Sequence, residues 1–165
     1  MRLFVAIDLP PDLQDYFRQV QAGLPKCNLA SSFHLTLKFL GDVSDDKLNE
    51  IIQALSKIKF SKLNLSTGEL GAFPSKGDIR VLWVGIEPNS HLMQLQENIE
   101  NSLIGFKKDF DFYPHITLAR VSQKIKFPEF KIEYRAFLAS EFTLYKSTLL
   151  PTGPEYSIIQ KFKGS

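Results

Sequence analysis

Two of the three histidines in this chain of 165 residues sit in the same local pattern, His34-Leu35-Thr36 and His115-Ile116-Thr117. An imidazole titrates near neutrality, so it takes a proton in one state and gives one in the other. A hydroxyl close by can donate a hydrogen bond to an oxygen on which negative charge builds. Both patterns open strand-like runs, residues 33–40 and 115–121. Strand side chains alternate between faces, so in each run the His and the Thr share a face. Strict alternation buries Phe33, Leu35, Leu37 and Phe39 and puts His34, Thr36 and Lys38 on the polar side. In the second run Ile116 and Leu118 are buried, and His115 and Thr117 point the other way.

Two imidazoles and two hydroxyls in one groove suit phosphoester cleavage. A neutral histidine activates water, a protonated one protonates the leaving oxygen, and the threonines hold the non-bridging oxygens. A 2′,3′-cyclic phosphate has a strained ring and a fixed leaving group, so positioning and acid–base help can act without a metal. The residues alone leave open which histidine is the acid. Arg120 could bind a phosphate bidentately, but alternation places it opposite His115 unless the strand bulges, twists or ends nearby. Lys38 has the right parity for the groove, although a lysine on a strand is usually just solvated. His91 lies outside any such pattern and reads as a surface residue.

The elements that must position these residues occur twice. Leu3-Phe4-Val5-Ala6-Ile7-Asp8 is followed by Pro10 and a helical pattern over 11–23, with Leu13, Phe17, Val20 and Leu24 recurring at helical spacing. Leu82-Trp83-Val84-Gly85-Ile86-Glu87 is followed by Pro88 and a second helical pattern over 90–103. Each unit then reaches its His-bearing strand. Trp83 matches Phe4 in this repeat, which predicts core packing. Residues 44–58 predict a helix capped by Ser44. Residues 63–70, 137–149 and 156–162 predict strands, the last two joined by the turn Pro151-Thr152-Gly153-Pro154. The expected fold is α+β, with two pseudo-symmetric lobes and a ligand groove between them. All of 1–165 forms one domain, its first unit about 1–43 and its second about 80–121.

Composition narrows the class. Hydrophobic residues make up 44% and charged residues 23%, which describes a globular chain. A net charge of +2 does not demand a nucleic-acid partner, though a protein touching only a strand end needs no broad basic patch. No apolar run is long enough to span a bilayer. Cys27 stands alone, so no internal disulfide forms, as in a reducing cytoplasm. A metallohydrolase would need about three ligands, and only Asp109 and Asp111 are weak candidates to join the histidines. Nothing demands more than a monomer.

On these residues the chain resembles the two-histidine (2H) phosphoesterase superfamily, and within it the RNA 2′,3′-cyclic phosphodiesterases, the 2′-5′ RNA ligase-like proteins. The resemblance runs over Arg2-Leu3-Phe4-Val5-Ala6-Ile7, the stretch from His34 to Val43, Arg80 to Gly85, Pro114 to Arg120, and Leu144-Tyr145-Lys146-Ser147. It implies a two-lobed α+β fold with each lobe an antiparallel sheet, helices outside and the site in the cleft. It implies hydrolysis of RNA or nucleotide 2′,3′-cyclic phosphate ends to 2′-phosphates, without metal or other cofactor. It makes His34 the proton donor and His115 the proton acceptor, with Thr36, Thr117 and Arg120 binding substrate. Two other readings remain: 2′-5′ RNA end-joining, the reverse reaction, and a non-catalytic RNA-end binder.

Overall fold

In the computed structural model, which describes residues 1–106 and 111–165, Leu3, Val5 and Ile7 bury one face of strand β1 (Arg2–Asp8). Helix α1 (Pro11–Ala22) starts on a proline, tolerated there because the first-turn N–H has no helical partner. Its Leu13, Phe17 and Val20 face the core. The chain continues through β2 (Asn28–Leu29), β3 (His34–Asp42), a 3-10 turn (Asp45–Lys47), α2 (Leu48–Ser56), β4 (Leu63–Phe73) and β5 (Val81–Ile86). It ends with α3 (Ser90–Ser102), β6 (His115–Arg120), β7 (Ala136–Ala139), β8 (Glu141–Leu150) and β9 (Gly153–Lys163).

Two expectations change. Ser44 precedes the 3-10 turn and makes no side-chain cap bond to a backbone N–H. Its hydroxyl serves the Asp46 carboxylate instead, and the α-helix begins only at Leu48. The single strand expected over 137–149 is two strands separated at Ser140. β7 pairs with β4 and β8 with β1, so the two pieces go to different parts of the sheet.

The strands form one antiparallel sheet in the order β7-β4-β5-β6-β3-β1-β8-β9, with β2 beside β6. Its two halves are pseudo-symmetric. β1 and β3 in one correspond to β5 and β6 in the other, and β8 flanks β1 as β4 flanks β5. The halves also exchange strands. β4 follows the first unit but joins the second, while β8 and β9 follow the second unit and join the first. Leu13, Phe17, Ile51, Leu55, Leu92, Leu95 and Ile99 of the three helices share one core with the inner face of the sheet. The other face carries the two His-x-Thr patterns. Among the described residues no helix is long and apolar enough to cross a membrane.

Candidate active site

The halves meet where β3 and β6 pair at Leu35 and Ile116, both fully buried. Continuing that antiparallel register sets His34 across from Thr117 and Thr36 across from His115. Because the central pair points into the core, the four flanking side chains emerge together on the opposite face. His34 and His115 are diagonal neighbours across the seam, a relation that separates residues by roughly 7–8 Å.

A bulge in each His-bearing strand decides what else joins them. The pairing of β1 with β3 passes over Leu37, with Ala6 opposite Thr36 and Val5 opposite Lys38. The pairing of β5 with β6 passes over Leu118 in the same way, with Trp83 opposite Thr117 and Leu82 opposite Ala119. An extra residue reverses the inside–outside parity of everything after it. Lys38 therefore points into the core, not the groove, where its Nζ lies 2.8 Å from Oε1 of Glu100 on α3. Phe39, expected in the core, emerges on the His34 face and is 55% exposed. Arg120 comes round to the His115 side, and its charge helps to disfavour a proton on that ring. Phe39 and Arg120 thus occupy equivalent places in the two halves.

Each imidazole is packed among aromatic rings. His34 has Phe4 at 5.2 Å, Tyr156 edge-on at 5.4 Å and Tyr145 at 6.4 Å between ring centroids. His115 has Phe73 edge-on at 5.0 Å and Trp83 at 6.0 Å. Trp83 is therefore not a core residue. It lies half-buried on the site face, its indole filling the space a side chain at Gly71 would need. His91 is exposed on α3, as expected.

The two rings differ in their polar partners. Nδ1 of His115 lies 2.6 Å from the Tyr113 carbonyl oxygen. A carbonyl only accepts, so Nδ1 carries the hydrogen and Nε2 keeps the lone pair when the ring is neutral. Burial is the main cause that lowers its proton affinity; the Tyr113 bond works the other way, and Arg120 adds to the lowering. Burial also pushes His34 down, to about 4, against the opposing charge of Asp8. Asp8 stands directly across from His34 on β1. Its carboxylate accepts hydrogen bonds from the hydroxyls of Tyr145 and Thr143 on β8.

Asp8, Tyr145, Tyr156, Phe73 and Tyr113 carry no sequence pattern that marks them as site residues. Asp8 is within reach of the alternation rule, since it shares parity with Phe4 on β1. Tyr113 is local, two residues before His115, while Tyr145, Tyr156 and Phe73 reach the site only through pairings made by distant strands. A cavity of about 540 Å³ opens beside His34 between Phe33 on one side and Tyr156 and Ile158 on the other. Among the described residues no three His, Cys, Asp or Glu side chains gather as metal ligands. Asp111 is exposed, and Asp109 lies outside the described residues.

The chain as a whole is similar to known proteins in sequence and in fold. The family model for LigT-like phosphoesterases matches residues 7–83 and 84–156, that is, the chain twice in succession. The RNA 2′,3′-cyclic phosphodiesterase of Methanocaldococcus jannaschii is 34% identical, over 98% of this chain and all of its own length. The enzyme of that name from Escherichia coli is 30% identical, over 98% of this chain and 95% of its own. The crystal structure of E. coli LigT without ligand superposes with a TM-score of 0.87 at 27% identity, covering 99% of this chain and 97% of that one. E. coli LigT complexed with 3′-AMP gives 0.86 at 27% identity, covering 99% and 98%. The chain belongs to the LigT-like phosphoesterase family.

Proposed function

We propose that this protein hydrolyses the 2′,3′-cyclic phosphate at RNA 3′ ends or on nucleotides, leaving a 2′-phosphate, with His115 as general base and His34 as general acid. The carrying observation is the cluster of His34, Thr36, His115 and Thr117 around the Leu35–Ile116 pair. The Tyr113 bond supports the division of roles, because it leaves Nε2 of a neutral His115 free to take a proton. His115 Nε2 accepts a proton from water as the water oxygen bonds to phosphorus. The P–O3′ bond breaks, and His34 gives its proton to the departing O3′. The product is a 2′-phosphomonoester with a free 3′-hydroxyl, and exchange with solvent restores both histidines. Thr36, Thr117 and Arg120 bind the non-bridging oxygens. The bound phosphodiester anion raises the proton affinity of the nearby His34, which begins neutral.

The names of the relatives and the 3′-AMP complex of E. coli LigT support the substrate class. One chain supplies every residue of the site, which is consistent with a monomer. The lone Cys27 fits the cytoplasm. No metal is needed by this chemistry. The test is to incubate the protein, with and without excess EDTA, with an oligonucleotide ending in a 2′,3′-cyclic phosphate and with a cyclic mononucleotide. A chelator-insensitive product that gains the mass of one water, and loses its phosphate to a phosphatase, is expected. His34→Ala and His115→Ala are each expected to lower the rate by about 10²–10⁴-fold. The double variant is expected to lose far less than the product of the two, since the pair acts as a unit. A 2′-5′-joined product, or binding without turnover, would replace this reading.

A further inference from the structure

The two halves of the site differ by a slip of two residues. Leu3 and Leu82 are 79 positions apart, but His34 and His115 are 81 apart. The slip appears in the strand pairing, where His34 faces Asp8 and His115 faces Gly85. At the 79-residue offset the counterpart of Asp8 is Glu87, one residue beyond the end of β5. The backbone N–H of Glu87 bonds to the Ser66 carbonyl at 2.8 Å, tying it to β4 rather than to the His115 strand. A carboxylate thus sits across from one histidine and not the other.

Asp8 is held for this place. One carboxylate oxygen accepts from the Tyr145 hydroxyl, and the other accepts from Thr143 Oγ1 at 3.4 Å. Thr143 is fully buried, and Tyr145 stacks on Phe4, which in turn packs against His34. Among the described residues no lysine or arginine forms an ion pair with Asp8, and His34 acts on it across the strand pair without a direct ion-pair contact. A half-buried carboxylate without a cationic partner is costly unless something compensates it. Directly opposed residues on paired strands lie about 4.5–5.5 Å apart, so the group placed to compensate it is His34. The titratable groups around His34 are Asp8 from β1, Tyr145 from β8, Tyr156 from β9, Glu155 from β9, which is exposed and lines the same cavity, and, diagonally, His115 from β6; of the two carboxylates only Asp8 stands directly across from His34. Gln14 of α1 and residues 31–33, which line the same cavity, bring no charge. Burial, then the Asp8 bond and charge, raise the Tyr145 hydroxyl's hold on its proton, so it stays a donor.

We propose that Asp8, fixed by Tyr145, is the positioning residue that orients His34 and sustains its protonated form for delivery to the leaving oxygen. The inference rests on the acid role given to His34 above. It also accounts for why a pseudo-symmetric site divides its labour: the register slip gives one imidazole a carboxylate and leaves the other a backbone carbonyl.

The test combines an activity-independent measurement with a change of leaving group. The ring protons of His34 are followed by NMR against pH in the wild type and in Asp8→Asn. Loss of an opposite charge at this range moves a titration midpoint by about 1–3 pH units, so that of His34 is expected to fall by at least about one. On a 2′,3′-cyclic nucleotide, Asp8→Asn is expected to lower kcat/KM at neutral pH by about tenfold for each pH unit that the midpoint falls. The alkaline limb of the rate profile is expected to move to lower pH. Tyr145→Phe is expected to do the same more weakly. On an aryl phosphodiester, whose leaving group needs no proton, most of the loss in Asp8→Asn disappears. An unchanged His34 midpoint overturns the proposal even if activity falls, and so does equal loss on both substrates. A wild type inactive on cyclic phosphates overturns the proposed reaction instead, while the titration still decides whether Asp8 acts on His34.

Discussion

Folding buries most of each imidazole, and burial is the largest cause lowering the proton affinity of both. This gives the site a measurable signature apart from turnover. In the folded protein His34 takes its proton only near about pH 4, against an ordinary value of 6.5. Between those values the unfolded chain binds more protons than the folded one, so stability is full above the window and falls as pH drops through it. His115 shifts in the same direction. The urea midpoint of the wild type is therefore expected to decline as pH goes from about 6.5 to about 4, and His34→Gln is expected to flatten that decline. An equally steep decline in the variant would mean that other groups carry the acid sensitivity. At this scale the histidines and threonines are legible in the sequence because two matched patterns in one chain are far more specific than one. For Asp8 alternation gives only the strand face, shared with Phe4, and a lone aspartate at a strand end has no pattern that marks it as a site residue.

The β-bulges decide which long side chains reach the groove. Lys38 and Arg120 come four and five residues after their histidines, and alternation alone sends Lys38 to the substrate and Arg120 to the core. Each bulge reverses that order. The reversal predicts opposite phenotypes. Lys38→Ala removes a buried charge-assisted bond to Glu100, expected to cost about 1–3 kcal/mol in a urea titration, with little change in KM for the folded fraction. Arg120→Ala is expected to raise KM and leave the urea midpoint almost unmoved, because its side chain is exposed. A raised KM with unaltered stability in Lys38→Ala would place that lysine in the groove after all. Period-two patterning reveals the strands and their buried faces, Leu35 and Ile116 above all. It cannot reveal the bulges, since two adjacent inward residues, Leu37 with Lys38 or Leu118 with Ala119, carry no distinguishing composition. The break at Ser140 is hidden for a similar reason: apolar residues lie close on both sides of it, Phe137 to Ala139 and Phe142 with Leu144, so the change of parity is masked, and only the pairing of β7 with β4 and β8 with β1 separates the pieces.

The strand exchange determines how the whole chain holds together. The repeat makes two units visible, but local pattern cannot show that β4 leaves the first unit for the second and that β8 and β9 return to the first. Each half keeps its central pair, β1 with β3 and β5 with β6, but borrows the strand that flanks that pair from the other part of the chain. The sheet around β1 lacks β8 until the last residues are in place, and Phe142, Leu144 and Phe162 of those strands are buried in the shared core. The sheet around β5 needs β4, which lies 42 residues or more before β6 in the chain. Such mutual dependence predicts one cooperative unit of 1–165 instead of two lobes unfolding in turn. Backbone amide signals of Val5 in β1 and Val84 in β5, one in each half and both fully buried, are expected to lose their native intensity at the same urea concentration. Fluorescence of Trp83, the single tryptophan, is expected to change over that same transition. Leu144→Ala, made on β8 in the first half of the sheet, is expected to cost about 2–5 kcal/mol and to shift the β5 signal and the Trp83 transition as far as the β1 signal. A variant that lowers the β1 midpoint alone would show that the halves are separately stable, and the seam at Leu35 and Ile116 would then be a docking contact between two folding units.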